Sequence, residues 1–272
     1  MTLTRTEVRE LLDRHGIRPK RSLGQNFVVE PNTVRRIVEL AAVGPGDRVL
    51  EIGPGVGSLT LALAEAGVAV TAVEIDDALV DVLAETTAGH DVVVVHADAM
   101  AVDWSDLLGN DQWTLVANLP YNVSVPLVCD LLDGVPAIRR MVVMVQKEVA
   151  ERLVAGPGDS SYGLPSVKVA YHATGQMVGR VPPSVFLPRP RVDSALVELV
   201  RRAVPTVDAD PEVLFDLVRA GFRQRRKMLR RSLSGSVDEA AFATSGVAPT
   251  ARAEELGLDG WAALAAAVAG AS

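Results

Sequence analysis

Val49-Leu-Glu-Ile-Gly-Pro-Gly-Val-Gly57 decides how this 272-residue chain folds. A short apolar run, beginning with Arg48 and ending at Ile52, meets three glycines at alternate positions, Gly53, Gly55 and Gly57. From Ser58 to about Ala66 the pattern becomes that of an apolar helix. A strand that turns at once into a helix needs glycine, which accepts positive φ and leaves bare main chain where a ligand can lie. The same alternation continues downstream. Val68–Val73, Asp91–Val95, Trp113–Ala117 and Met141–Val145 read as strands, with helices over Asp77 to about Thr87 and about Val125–Leu132. Strands made almost wholly of Val, Ile, Leu and Ala are buried on both faces, which implies a parallel sheet covered by helices. Glu148–Leu153 reads as helix and Ser166–Tyr171 as a further strand. Val192–Val200 alternates and reads as a last, hairpin-paired strand.

Upstream, Thr4–His15 has helical spacing and stops at Gly16, a favoured position just past a helix end. Arg18-Pro-Lys-Arg-Ser-Leu-Gly-Gln-Asn-Phe27 is basic and irregular, and Pro31 opens a second helix that runs to about Val43. Near Val204-Pro-Thr-Val-Asp-Ala-Asp-Pro211 the composition shifts. Beyond it the chain reads as helix over Glu212–Leu233, near 238–245 and from about Leu258. The expectation is a Rossmann-like α/β domain over 1–203 and a small helical domain over 204–272.

A hydrophobic content of 49% supports a large core, and no apolar run approaches the roughly 20 residues that span a bilayer. The N-terminus lacks the apolar stretch of a signal peptide. The single cysteine, Cys129, lies in an apolar run and reads as a core residue, and no Cys/His cluster has zinc spacing. These features predict a cytoplasmic, metal-free protein with no membrane partner, a monomer by default. The net charge of −7 is unevenly placed. Residues 37–113 hold fourteen acids and only Arg48, whereas residues 180–231 hold twelve Lys/Arg against six acids. Such asymmetry suits a basic nucleic-acid face on an acidic body, although basic runs also occur on solvated helices.

Two further strand ends carry chemistry. Glu74 ends the second strand, where a carboxylate can accept from both ribose hydroxyls of a nucleoside, and Asp98 follows the third, where one can accept from an adenine amino group. In a doubly wound sheet these ends converge with the glycine loop on one crevice. The dinucleotide fingerprint needs glycine at 58, which is Ser, and no phosphate-gripping Lys is present. Adenosine without a diphosphate points to S-adenosylmethionine. The fourth strand runs into Val116-Ala-Asn-Leu-Pro-Tyr-Asn122. There Asn118 and the carbonyls beside it offer acceptors to an exocyclic amine. Pro120 fixes φ and removes a competing N–H, and Tyr121 offers a face for a stacked base.

Eight segments then occur together and in order: Ser22–Phe27, Leu50–Thr60, Val73–Asp76, Asp98-Ala99, Asn118–Asn122, Gln146–Arg152, Tyr162-Gly163 and Phe222–Lys227. In this the chain resembles the ribosomal RNA adenine dimethyltransferase family, and within it the bacterial small-subunit branch, over roughly 5–235 plus Arg252–Leu256. The resemblance implies that the segment 18–30 closes over S-adenosylmethionine, with Asn26 and Val28 at its methionine and ribose end. Gly53, Gly55, Glu74, Asp98 and Asn118 complete the cofactor contacts. Val28 stands where the family often has Leu, a change that a main-chain contact tolerates. In the implied reaction Asn118 and the Leu119 carbonyl hold the target amine, Pro120 shapes the loop, and Tyr121 and Phe186 stack on either side of the adenine. Phe222-Arg-Gln-Arg-Arg-Lys-Met-Leu-Arg-Arg231 puts Arg223, Arg226, Lys227 and Arg230 on neighbouring helical faces for RNA. Arg231 departs from the Asn common in the family.

The implied activity is N6,N6-dimethylation of two adjacent adenosines in the 3′-terminal hairpin of 16S ribosomal RNA, on the small ribosomal subunit during its biogenesis. The alternatives are a 23S RNA adenine methyltransferase giving macrolide-type resistance and an assembly factor on a methyltransferase fold.

Overall fold

The computed structural model describes residues 2–270; Met1 and the last two residues of the expected helical domain lie outside them. The chain divides into two compact units. The first comprises 1–150 and 176–201, the second 151–175 and 202–272. The last of the three boundaries, at 201/202, lies next to the linker read from the sequence. Residues 151–175, expected within the first domain, instead cluster with the second unit.

In the first unit α1 (Arg5–Arg14) is capped by Thr4, whose hydroxyl accepts from the Glu7 amide, and its end is marked by Gly16 at φ 64°. A two-residue strand β1 (Phe27–Val28) follows, then α2 (Pro31–Ala41). The alternation read from the sequence appears as β2 (Arg48–Ile52), α3 (Ser58–Glu65), β3 (Ala69–Glu74), α4 (Asp77–Thr86), β4 (Val92–His96), a short α5 (Trp104–Leu108), β5 (Trp113–Asn118), α6 (Ser124–Gly134) and β6 (Ile138–Gln146). Next come α7 (Lys147–Val154), α8 (Leu164–His172), β7 (Ala173–Val181), β8 (Phe186–Leu187) and β9 (Ser194–Arg201).

The sheet order is β4-β3-β2-β5-β6-β9-β7. Strands β2 to β6 pair in parallel, and β9 runs antiparallel to β6, with Met144 opposite Leu196. The order reverses between β2 and β5, so the loops after these strands diverge and leave a crevice at their carboxyl ends. Val49, Val116, Val142 and Met144 of the sheet form one core with Ile37, Leu59 and Leu63 of the helices. At roughly 25 cal/mol per Å², such fully buried aliphatic side chains contribute about 1.5–3 kcal/mol each. Cys129 is buried on α6.

One sequence expectation fails here. Ser166–Tyr171 is the body of helix α8, not a strand. Pro165 sits in its first turn and the Gly163 amide donates to Ser166 Oγ over 3.1 Å, so local start signals outweigh the β-branched alternation. The strand comes next, as β7 at the sheet edge, where polar residues on its open face hide the apolar pattern.

The second unit holds α8 from the 151–175 segment together with α9 (Pro211–Arg223), α10 (Leu229–Ser232), α11 (Glu239–Ser245) and α12 (Leu258–Ala269), around a core of Val167, Leu214, Val218, Leu229, Phe242 and Trp261. The single helix expected over 212–233 is therefore broken at 224–228. Arg225 is drawn aside by Glu254 Oε2 at 2.6 Å and the Ser160 carbonyl at 2.7 Å, and Met228 bridges Arg252 in extended form.

Candidate active site at the carboxyl ends of the central strands

The crevice is walled by the loops after β2, β3, β4 and β5 and by residues 23–28. Gly53 and Gly55 adopt φ 69° and 62° in the loop between β2 and α3. A Cβ at Gly55 would sit 2.7 Å from the Phe27 ring, so glycine there is required both by φ and by the close approach of β1. Glu74, at the end of β3, is 4% exposed. Its Oε2 accepts from the Gly55 amide at 3.1 Å, and its Oε1 accepts from the Ile75 and Asp76 amides at 3.0 Å. Burial raises the Glu74 carboxyl against the opposing pull of those hydrogen bonds. Asp98, beyond β4, is exposed at the rim and accepts from the Met100 amide at 2.9 Å.

Asn118 closes β5. Its Nδ2 donates to the Asn26 carbonyl at 2.9 Å, and its Oδ1 is buried with no hydrogen-bond partner. A buried, unpartnered acceptor costs about 1–3 kcal/mol, so its presence marks a place where a donor is expected to arrive. Pro120 lines the crevice beside it. The structure thus brings Asn26, Val28, Gly53, Gly55, Glu74, Asp98, Asn118 and Pro120 to one pocket.

Three expected site residues stand apart from that lining. Leu119 is buried, its amide donating to the Met144 carbonyl at 3.0 Å. Tyr121 is partly exposed beyond the pocket wall, its hydroxyl 2.6 Å from Ser194 Oγ. Phe186, read as a second stacking ring, offers no open face to a base. It is wholly buried in the core with Val34, Ile37 and Leu196, because β8 pairs antiparallel with β1 and sets Phe186 opposite Val28.

Other lining residues carried no role in the sequence reading. Ile75 and Met100 are exposed apolar side chains on the pocket rim, suited to the faces of a purine. Glu51, one residue before the end of β2, lines the pocket floor at 2% exposure, with Oε2 unpartnered. Burial pushes its carboxyl up to about 8. The sequence holds a signal for it, an acid inside an otherwise apolar strand.

Among the described residues the lining contains no Lys or Arg. Bare glycine backbone, a strand-end carboxylate at Glu74, apolar rim residues and an orphaned amide oxygen fit S-adenosylmethionine, and the absence of a cationic grip does not suit a diphosphate. Also among the described residues, no helix is long and apolar enough to cross a membrane, and no group of three His, Cys, Asp or Glu is placed to hold a metal ion.

In the second unit Arg223, Arg226, Lys227 and Arg230 are all exposed, but not on one helix face. Arg223 ends α9, Arg226 and Lys227 lie in the turn, and Arg230 is on α10. The first three line an open hollow with Phe222, Gln224, Arg225 and Glu254.

Comparison with known proteins agrees with this arrangement. A relative from Kineococcus radiotolerans, "Ribosomal RNA small subunit methyltransferase A", is 50% identical over 97% of this chain and 91% of its own. One of the same name from Streptomyces coelicolor is 49% identical over 95% of this chain and 94% of its own. Among solved structures, a dimethyladenosine transferase from Plasmodium falciparum superposes with a TM-score of 0.72 at 25% identity, covering 86% of this chain and 94% of that one. The 23S rRNA methyltransferase ErmE gives 0.67 at 28% identity, covering 90% of this chain and all of that one. The profile of the ribosomal RNA adenine dimethylases matches residues 16–269, which takes in the glycine loop, the strand-end acids and the Asn118 loop alike. With residues 16–269 matched by that profile, the chain belongs to the ribosomal RNA adenine dimethylase family.

Proposed function

We propose that this S-adenosylmethionine-dependent methyltransferase dimethylates N6 of two adjacent adenosines in the 3′-terminal hairpin of 16S ribosomal RNA, acting as a cytoplasmic monomer on the small ribosomal subunit during its biogenesis. The observation that carries the reading is the buried, unpartnered Oδ1 of Asn118, held in place by the Nδ2 bond to Asn26.

The bound cofactor supplies an electrophilic methyl group on a sulfonium. Asn26 and Val28 contact its methionine and ribose end, Gly53 and Gly55 let it approach the main chain, Glu74 accepts from the ribose hydroxyls and Asp98 from the adenine amine. An adenine N6 is a weak nucleophile because its lone pair is delocalised into the ring. Asn118 Oδ1 and the Leu119 carbonyl accept its two hydrogens and hold them out of the ring plane, which raises the lone pair towards the methyl. Pro120 keeps competing donors away, and Tyr121, anchored at its hydroxyl by Ser194, stacks on a base taken out of its helix. Orientation and fixed dipoles then provide most of the acceleration, and the amine proton, acidic once alkylated, leaves to water. Phe186 serves this site by packing beneath β1 rather than by stacking. Arg223, Arg226, Lys227 and Arg230 grip RNA phosphates. The relatives at 49–50% identity bear a small-subunit name, whereas ErmE stands at 28%, which supports the small-subunit target over the large one.

The test is methyl transfer from labelled S-adenosylmethionine to small subunits lacking the modification, with free 23S RNA alongside and the labelled nucleotides mapped. Four methyls on two neighbouring 16S adenosines are expected. Label on a single 23S adenosine makes this a resistance-type enzyme, and no label with the cofactor still bound makes it a binding factor.

A further inference from the structure

Asp76 is a buried carboxylate to which the reaction assigns no part, and its partners lie on a different segment of the chain. It is 2% exposed, and its Oδ1 accepts from the Ala78 amide at 3.3 Å, capping α4. The same oxygen meets Lys20 Nζ at 2.7 Å, and Oδ2 accepts from Gln25 Nε2 at 2.7 Å. Lys20 and Gln25 also close on each other, the Lys20 amide donating to Gln25 Oε1 at 2.7 Å, so that 20–25 is one small loop. Leu23, Gly24, Gln25 and Asn26 of that loop and its exit form a wall of the cofactor pocket.

The other side of the loop is held from β5. Asn118 Nδ2 reaches the Asn26 carbonyl at 2.9 Å and Asn122 Nδ2 the Ser22 carbonyl at 3.4 Å. A Cβ at Gly24 would come within 2.8 Å of Asn122 Oδ1, so the loop lies hard against the target-side wall. Segment 20–26 therefore spans the crevice from the end of β3 to the end of β5. On the β3 side its side-chain anchors converge on Asp76.

Opening the loop would leave the Asp76 carboxylate with the Ala78 amide and without its cation. Opening would exchange the Gln25 bond and the Lys20 ion pair for water, so these contacts favour the closed loop. The main chain adds a link, since the Asp76 amide donates to Glu74 Oε1, on the carboxylate assigned to the ribose.

We propose that Asp76 is a positioning residue that latches segment 20–26 across the pocket and thereby sets how long S-adenosylmethionine stays bound. This rests on the cofactor reading of the pocket, not on the identity of the RNA. Wild-type protein that fails to bind S-adenosylmethionine would overturn that reading itself, before any variant is compared.

The test uses the full chain with Asp76→Asn and Lys20→Met, and measures release of S-adenosylmethionine in stopped flow without RNA. Asn remains a good helix N-cap, so Asp76→Asn keeps α4 started while removing the charge. Release is expected to quicken about tenfold, as for loss of a hydrogen-bonded charge, with association little changed. Lys20→Met, at a half-exposed position, is expected to quicken it about twofold to fivefold. In turnover, KM for the cofactor rises with the release rate while kcat holds, and amides 20–26 exchange faster in both variants. Wild-type release rates in both variants overturn the latch. So does a lowered Tm in Asp76→Asn with unchanged release in Lys20→Met, which would leave Asp76 as a helix cap only. If Asp76→Asn does not fold, the Lys20→Met release rate decides alone.

Discussion

The side chain of Asn118 donates through Nδ2 to the main-chain carbonyl of Asn26 over 2.9 Å, and its Oδ1 is left buried with no hydrogen-bond partner. Asn118→Ala removes the acceptor meant for the target amine while leaving the glycine loop and Glu74 in place. Transfer is expected to fall by about a hundredfold to a thousandfold in kcat, the range for losing one preorganised polar group. Cofactor affinity, followed by calorimetry, is expected to change only within roughly fivefold, since about one ordinary hydrogen bond, to the Asn26 carbonyl, is lost. An equal loss of both would sink the division of roles.

Glu51 sets a pH dependence. Burial holds its folded-state carboxyl at about 8, well above the unfolded value of 4.5. Between those values the folded state binds the extra proton, so this group's stabilisation is present below the unfolded value and is lost as pH rises through the folded one. Glu51→Gln keeps the shape without the ionisation. Above pH 8 it is expected to melt higher than wild type, by on the order of a few kcal/mol in stability, with the gap closing towards pH 5. Melting curves across that range check it, and a constant gap would refute the assignment.

The buried Phe186 and the partly exposed Tyr121 separate packing from stacking. Phe186→Ala is expected to cost about 3–5 kcal/mol of stability, as for large core aromatics, whereas Phe186→Leu is expected to keep transfer with a smaller loss. Tyr121→Ala is expected to weaken base capture, which stacking contributes at about 1–3 kcal/mol, and to lower Tm less than Phe186→Ala, through the partner that the Ser194 hydroxyl loses. Thermal melts beside KM for the RNA distinguish them.

Charge reversal at Arg226 and Lys227 is expected to weaken RNA binding and to lower the slope of log affinity against log salt by about one for each phosphate no longer neutralised. Arg225→Ala, at the neighbouring position, is expected to act differently. It releases Glu254 and the Ser160 carbonyl, so it should lower Tm within the second unit as well as affinity. Binding titrations at several salt concentrations, run with melting curves, tell the two effects apart.

The strands at the centre of the sheet were legible because burial on both faces leaves a continuous apolar signature. Edge strand β7 was not, since its open face is polar and Gly175, Gln176 and Gly179 interrupt its apolar residues. The ribbon of β1 and β8 is two residues long on each side, too short for any periodicity. Glycine spacing and the strand-end acids pointed to the strand ends that line the pocket, and only the resemblance drew in Asn26 and Val28, which line it from a segment with no periodic pattern. What stayed hidden depends on contacts distant in sequence. The break at 224–228 follows from Glu254 and Ser160. The role of Asp76 looks, in sequence alone, like that of any carboxylate starting a helix.

Because residues 151–175 belong with 202–272 while 176–201 return to the sheet, the second unit is an insertion joined to a tail rather than a terminal appendage. Cutting the chain near 203 would strand Tyr162, Val167 and Tyr171, all buried in that unit's core, without the helices that cover them. Exchange of the helical unit between relatives therefore demands three junctions made together, two around 151–175 and one near 202.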